Sequence, residues 1–392
     1  MRVYPRLFLG MFVLGGLIYA LTFRGGLDGS GRPPGTDFIA FWSAGRLALD
    51  GHAADAWDLN LIGAFQLDIY PGLTGPTQWA YPPTTLPLVM PFGALPHLVA
   101  YVAWVVVGLA LFLGALSPLL RRNGTYAWPI ALAFPGLWLG IPSGQVQFFV
   151  AALIGAALVL LPRRPVLAGI LIGLLVIKPQ LGVLLPLALV AGRQWRAFAA
   201  AATTSALAVI GSTAAFGVSA FESWWSSLSV LGDAIDDGTA PVYKFVTPYM
   251  GLRLLGLSEG FSLAAHALVA LVTAWVVWRL WSRNHDPLVC GSATVVGTFL
   301  TTPYAADYDL AVLAFPIAWM AILGLEHGWV RGDRNLLVAT WILPLVAAPI
   351  ALFTHVTIVP FLMALVLRQL WARTSRSTDR VDVAQPVIGG RT

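Results

Sequence analysis

Charge is what this sequence has least of. Only 10% of its 392 residues are Asp, Glu, Lys or Arg, while 58% are hydrophobic; a soluble domain carries about 25% charged residues. A chain this apolar cannot cover itself as a water-soluble fold, which excludes the soluble enzyme classes. Cysteine is nearly missing: Cys290 stands alone in an apolar segment, so there is no internal disulfide and no mark of redox compartment. Lysine occurs only as Lys178 and Lys244, and the histidines His52, His97, His266, His285, His327 and His355 are too scattered to suggest a metal cluster. A Walker A loop, a G-x-G-x-x-G after a strand, H-E-x-x-H, paired C-x-x-C and G-x-S-x-G are all missing. ATP hydrolysis, nicotinamide chemistry and zinc proteolysis therefore have no support.

Long apolar runs are what the chain does have, recurring from Leu7 to Trp371. A helix needs about 20 apolar residues to cross the hydrocarbon, fewer where it is broken or buried among neighbours. Twelve spans are expected, near 7–23, 98–119, 125–141, 146–161, 166–178, 180–191, 197–217, 261–281, 287–302, 309–325, 335–353 and 355–371. The first follows Arg2 and Arg6 without a small-x-small cleavage site, as an uncleaved signal anchor does. Pro82, Pro83, Pro87, Pro91 and Pro96 argue against a continuous helix there, so Pro83 to Pro96 is read as re-entrant or juxtamembrane.

Arginine sets the orientation. With the N-terminus inside, 17 of the 23 basic residues fall on the cytoplasmic side and 13 of the 18 acidic residues outside, as the positive-inside rule requires. The net charge of +5 is thus read as a topogenic signal rather than a binding patch for nucleic acid or other anionic partners. The expected organisation is one all-α polytopic membrane domain over 1–371, with interfacial helices in extracytoplasmic loops 24–83 and 218–260. Residues 372–392 form a disordered cytoplasmic tail, and both termini are cytoplasmic.

The chemistry-bearing residues fall outside. In Gly35-Thr36-Asp37-Phe38, Thr36 is a candidate N-cap and Asp37 opens a helix ending at Asp50-Gly51. The positive end of that helix keeps the carboxylate ionised, as a general base must be, although capping alone also explains Asp37. Tyr81 leads the proline turn Pro82-Pro83, which either walls a sugar or lipid site or sets the chain's entry angle. Gln145, with Gln147 in the next helix, can donate to a hydroxyl or phosphate oxygen or serve the helix start. Lys178, between two half-length apolar segments and beside Pro179, suits an anionic headgroup such as a phosphate. Tyr304, Asp307 and Asp309 border a span and can bind sugar hydroxyls, assist proton transfer or hold a divalent cation; D-x-D alone is a weak signal. The loop 218–260 adds Glu222 and Trp224 as a carbohydrate platform or interfacial anchor, with Lys244 and Arg253 as further phosphate-binding cations.

Taken in order, Asp37, Tyr81-Pro82-Pro83, Gly144-Gln145, the Ala168-Gly169-Ile170 helix leading to Lys178-Pro179, and Arg193-Gln194-Trp195-Arg196 resemble the glycosyltransferase family 87 proteins over roughly residues 30 to 325. The resemblance implies a GT-C fold and an inverting transfer of one sugar, mannose in the characterised members, from a polyprenyl-phosphate donor. The acceptor hydroxyl belongs to a lipid or glycan of the cell envelope, on the outer face of a bacterial inner membrane. Asp37 is carried over as the catalytic base. Partners are then the donor, the acceptor and membrane lipids; no cofactor is expected, the sugar carrier being a substrate, with a divalent metal left open. The late outer loop departs from the pattern, with Asp307-Tyr308-Asp309 where such enzymes can place a histidine. The rival classes are a transporter or flippase, which needs a polar path and repeated halves that are not evident, and an O-antigen-ligase-like enzyme with a more basic outer site.

Overall fold

The computed structural model describes residues 3–283 and 285–382. Among the described residues every extended element is helical; pairing of the β type is confined to isolated bridges at Arg24–Leu27 and Phe245–Ala306. The α-helices are α1 Tyr4–Leu21, α2 Phe38–Leu49, α3 Leu59–Ile69, α4 Leu86–Gly93, α5 His97–Arg122, α6 Ala127–Leu132, α7 Pro135–Ser143, α8 Gln147–Leu160, α9 Pro165–Gly173, α10 Leu184–Ala191, α11 Trp195–Asp236, α12 Pro248–Leu254, α13 Glu259–Ser282, α14 Pro287–Thr301, α15 Ala314–His327, α16 Asp333–Thr354 and α17 Val359–Asp382.

Among the described residues six helical stretches are long and apolar enough to cross a membrane: α1, α5, α11, α13, α16 and Asp307–His327. The twelve spans expected from the sequence, some of them short, are not confirmed by this measure, and proline and glycine explain much of the difference. The 125–141 segment is two helices, α6 and α7, broken at Phe134-Pro135. The pair 166–178 and 180–191 becomes α9 and α10 joined through 3₁₀ turns around Lys178-Pro179. Helix α8, with 14 residues, rises only about 21 Å, short of the roughly 30 Å hydrocarbon core. It can afford to be short because Phe148, Val150, Ala151, Ile154 and Ala157 are all buried by neighbouring helices, so little of its backbone meets lipid. Helix α4, read in advance as re-entrant, has eight residues and cannot span alone.

Helix α5 shows how the bundle divides protein from lipid. Ala100, Trp104, Gly108, Phe112 and Leu116 recur every fourth residue and are buried, forming one stripe along the helix. Val99, Val102, Val106 and Leu111 on the remaining surface stay exposed, which suits acyl chains rather than water.

Helix α11 contains a break at Gly217, whose φ of +81° and ψ of 167° lie in a region open essentially to glycine alone. The first half ends where the 197–217 span was expected to end. The second half, 218–236, is an arm of the second large loop. Helix α17 runs on from Val359 to Asp382, into the stretch expected as tail; Arg373 is drawn back onto buried Asp333, which also accepts from Gln369 Nε2 at 2.8 Å and the Val330 amide at 2.6 Å. The rest of that tail lies outside the described residues.

Candidate active site

The site is built where the first loop meets the α7–α8 turn. Gly144 ends α7 in the left-handed region, φ +65°, and a Cβ there would lie 2.7 Å from Phe38 Cβ and 3.3 Å from Gly35 Cα. That glycine lets the two loops touch, and the Thr36 and Asp37 amides donate to the Pro142 and Ser143 carbonyls at 3.1 and 2.9 Å. Asp37, not Thr36, is the N-cap of α2, yet its side chain makes no capping bond. It accepts from Gln145 Nε2 at 2.8 Å. The other end of that amide, Oε1, accepts from the Tyr81 hydroxyl at 2.7 Å. An ionised carboxylate can only accept, so the amide nitrogen must face Asp37 and the phenol must donate.

Burial pushes the Asp37 carboxyl above the usual carboxylate range, opposed by the Gln145 hydrogen bond and by the charges of Lys244, Arg32 and Lys178. This differs from the expectation that the helix end simply keeps Asp37 ionised: desolvation outweighs the helpers. Burial, with Asp309 and Asp37 nearby, also pushes the Tyr81 phenol well up, so it stays protonated and able to donate.

The proline turn after Tyr81 has a local purpose. Thr84 and Thr85 donate their hydroxyls to the Val176 and Ile177 carbonyls at 2.9 and 3.2 Å, satisfying backbone acceptors left by the helix break. The break presents Lys178, which is only 4% exposed and bonds Asp309 Oδ1 at 2.6 Å. Its ammonium lies over the rings of Tyr308 and Tyr81, 4.9 and 5.7 Å from their centroids. Asp309 also accepts from the Ala306 amide at 3.0 Å. Thus the ammonium expected to await a phosphate is already neutralised by a buried carboxylate.

Lys244 arrives from the second loop. The segment before α12 lies against the 303–306 loop through the Phe245–Ala306 bridge, Val246 N to Ala305 O at 2.9 Å and Thr247 Oγ1 to Pro303 O at 2.7 Å. Lys244 is exposed, acts electrostatically on both Asp37 and Asp307, and among the described residues has no carboxylate at ion-pair distance. Asp307 accepts from the Tyr308 amide at 2.8 Å. Among the described residues no three His, Cys, Asp or Glu side chains gather as a metal-holding group.

The remaining candidates are dispersed. Gln147 is buried, its amide without a hydrogen-bond partner, packed on Gly140. Trp224 donates to the Ala80 carbonyl at 3.4 Å, docking the 218–236 arm beside Tyr81, and Glu222 on that arm is exposed. Arg253 pairs with Asp236, and Tyr304 packs edge-on to Tyr249 at 5.7 Å, in a smaller cluster with Ile235 and Met250. Sequence reasoning met Tyr308 only as one of the phenols of the 301–309 loop and did not single out Arg32 or Trp104, whose indole donates to the Gln145 carbonyl at 3.3 Å. Arg32 had a faint signal, as one of three arginines in an otherwise acidic loop; Trp104 had none.

An all-helical, membrane-length bundle carrying one carboxylate held by an amide, beside a cation cluster, defines a membrane protein with a polar site at one end. The sequence profile of glycosyltransferase family 87 matches residues 79–303, more than half the chain, and the protein belongs to that family. It is accordingly a membrane glycosyltransferase. The match takes in Tyr81, Gln145, Lys178 and Lys244 but stops short of Asp37, Asp307 and Asp309. No curated protein and no solved structure matches the chain.

Proposed function

We propose that the protein transfers a single sugar, mannose by the family's characterised pattern, from a polyprenyl-phosphate donor to a hydroxyl of a lipid or glycan acceptor, with inversion. The fold is then the GT-C type, in a bacterial inner membrane, with the site outside and both termini in the cytoplasm. Asp37 takes the proton of the acceptor hydroxyl as its oxygen forms the bond to the anomeric carbon. The bond from that carbon to the phosphate oxygen breaks, and polyprenyl phosphate leaves with the electron pair. That leaving group needs charge stabilisation more than protonation. Lys244 and Arg32, close enough to act on Asp37, supply it better than Lys178, whose charge Asp309 already balances. Lys178 and Asp309 instead hold Tyr81 and Tyr308 in place, and Arg253 supports the second loop.

The observation that carries this reading is that Asp37 heads a helix without capping it and is held by Gln145. A burial-raised carboxyl accepts a proton more readily than an exposed one near neutral pH. The test is release of free polyprenyl phosphate from purified protein given polyprenyl-phosphate mannose, glucose or arabinose. Asp37→Asn and Asp37→Ala should lower turnover by about 10²- to 10⁴-fold with donor binding retained. Near-normal turnover in either variant would remove Asp37 as the base, and a wild type that moves lipid without releasing polyprenyl phosphate would make the protein a transporter.

A further inference from the structure

A second site stands at the far end of α8, about 21 Å along its axis from Gln145. Three chain connections converge there on a cavity of about 220 Å³. Leu161 and Pro162 line it after α8, Gly192 and Gln194 between α10 and α11, and Trp281 at the end of α13 with His285 between α13 and α14. Each connection carries arginine next to a lining residue in sequence, though none lines the cavity itself: Arg163 and Arg164 follow Pro162, Arg193 lies between Gly192 and Gln194, and Arg283 precedes His285 by two residues. All four are exposed, and among the described residues none has a carboxylate at ion-pair distance. Asp286, the acid beside His285, is occupied in accepting from the Leu288 amide at the head of α14.

Arg193 is informative by itself. It follows Gly192 at the end of α10 with φ +53°, a left-handed conformation that glycine or asparagine adopts more cheaply. Its amide and that of Gln194 donate back to the Val190 and Leu189 carbonyls at 3.0 and 2.8 Å, so the turn closes α10 and leaves the side chain in solvent. Arginines flanking membrane helices also set topology, but that role needs charge near helix ends, not its convergence from three connections on one cavity. Beside the arginines lie exposed Val166, Leu167 and Trp195, an apolar surface continuous with the lipid-facing helices.

We propose that this cavity binds the phosphate headgroup of an anionic bilayer phospholipid, with the four arginines and the Gln194 amide as donors and acyl chains along Val166, Leu167 and Trp195. Basic pockets between membrane helices have the chemistry for such headgroups. The site is separate from the one that holds Asp37 and does not depend on the reaction assigned to it.

The full-length protein in detergent, stripped of lipid and titrated with phosphatidylglycerol or phosphatidylcholine under native mass spectrometry, tests it. The wild type should retain phosphatidylglycerol preferentially. Arg193→Gln/Arg283→Gln should weaken that retention roughly thirtyfold, on the basis of about 1 kcal/mol for each charge. Gln194→Leu leaves every charge and the topology in place and should weaken it about fivefold, so the result stands even if the double variant does not fold. Equal retention of both lipids by the wild type, or unchanged phosphatidylglycerol binding in Gln194→Leu and in a folded double variant, overturns the proposal. Displacement of phosphatidylglycerol by inorganic phosphate would make this a site for a soluble anion and overturn the lipid assignment.

Discussion

At the scale of single residues, the site is governed by where charge is balanced and where it is not. Asp37 is pushed above the usual carboxylate range by burial and pulled back by Gln145. Because the base must be ionised in the free enzyme, kcat/KM should fall as pH drops through that raised value, higher on the pH scale than for an exposed aspartate near 4. Gln145→Leu removes the hydrogen bond to the charged form, so the acid limb should move to still higher pH, and kcat/KM pH profiles of the two proteins check this. An acid limb unmoved in Gln145→Leu would reduce Gln145 to a packing residue. Lys178 and Asp309 make the opposite case: both are almost fully buried and each answers the other. Asp309→Ala leaves an uncompensated ammonium and should cost about 3–5 kcal/mol, whereas Lys178→Met/Asp309→Leu should recover most of that. Thermal unfolding in detergent measures both, and a double variant no more stable than Asp309→Ala would refute the pairing.

At the scale of elements, breaks in helices do the positioning. The 3₁₀ turns around Lys178 expose carbonyls that Thr84 and Thr85 satisfy, so the proline-rich turn and the broken helix form one unit although 92 residues separate their hydrogen-bonded partners. Gly217 is the second break. A Cβ there meets nothing nearer than Ser219 Oγ at 3.4 Å, so Gly217→Ala is opposed by backbone strain and not by crowding, at a cost of about 1–3 kcal/mol. That change should lower Tm and, by swinging the 218–236 arm with Trp224 and the segment leading to Lys244, raise KM for the donor. An unchanged KM with a lowered Tm would show that the arm does not shape the site.

At the scale of the molecule, the residues sort to two ends. Asp37, Tyr81, Gln145, Lys178, Lys244 and Asp309 meet at one; Arg122 with Glu326, bonded at 2.7 and 2.6 Å, and Asp333 with Arg373 lie toward the other. The proposed topology puts the first end outside. Since Cys290 is buried, single cysteines can be introduced at exposed positions on a Cys290→Ser background. Ser226→Cys should react with a membrane-impermeant maleimide in intact cells, and Ser282→Cys only after permeabilisation; the reverse pattern would invert the protein and with it the proposed reaction. Composition alone determined the membrane class, because burial of so much apolar surface has no aqueous solution, and the arginine pattern supplies the proposed side for each loop. The ends of α2 and α13 were legible to within a few residues, since an Asp-Gly stop and the shift from apolar to polar sequence are local signals. What only the tertiary structure decided was which side chain answers which: that Asp37 turns from its helix to Gln145, that Lys178 spends its charge on Asp309, and that α8 is short because its neighbours, not lipid, surround it. Those outcomes depend on contacts between elements apart in the chain, the first two across more than a hundred positions, and no periodicity or spacing along the chain encodes the distance between them.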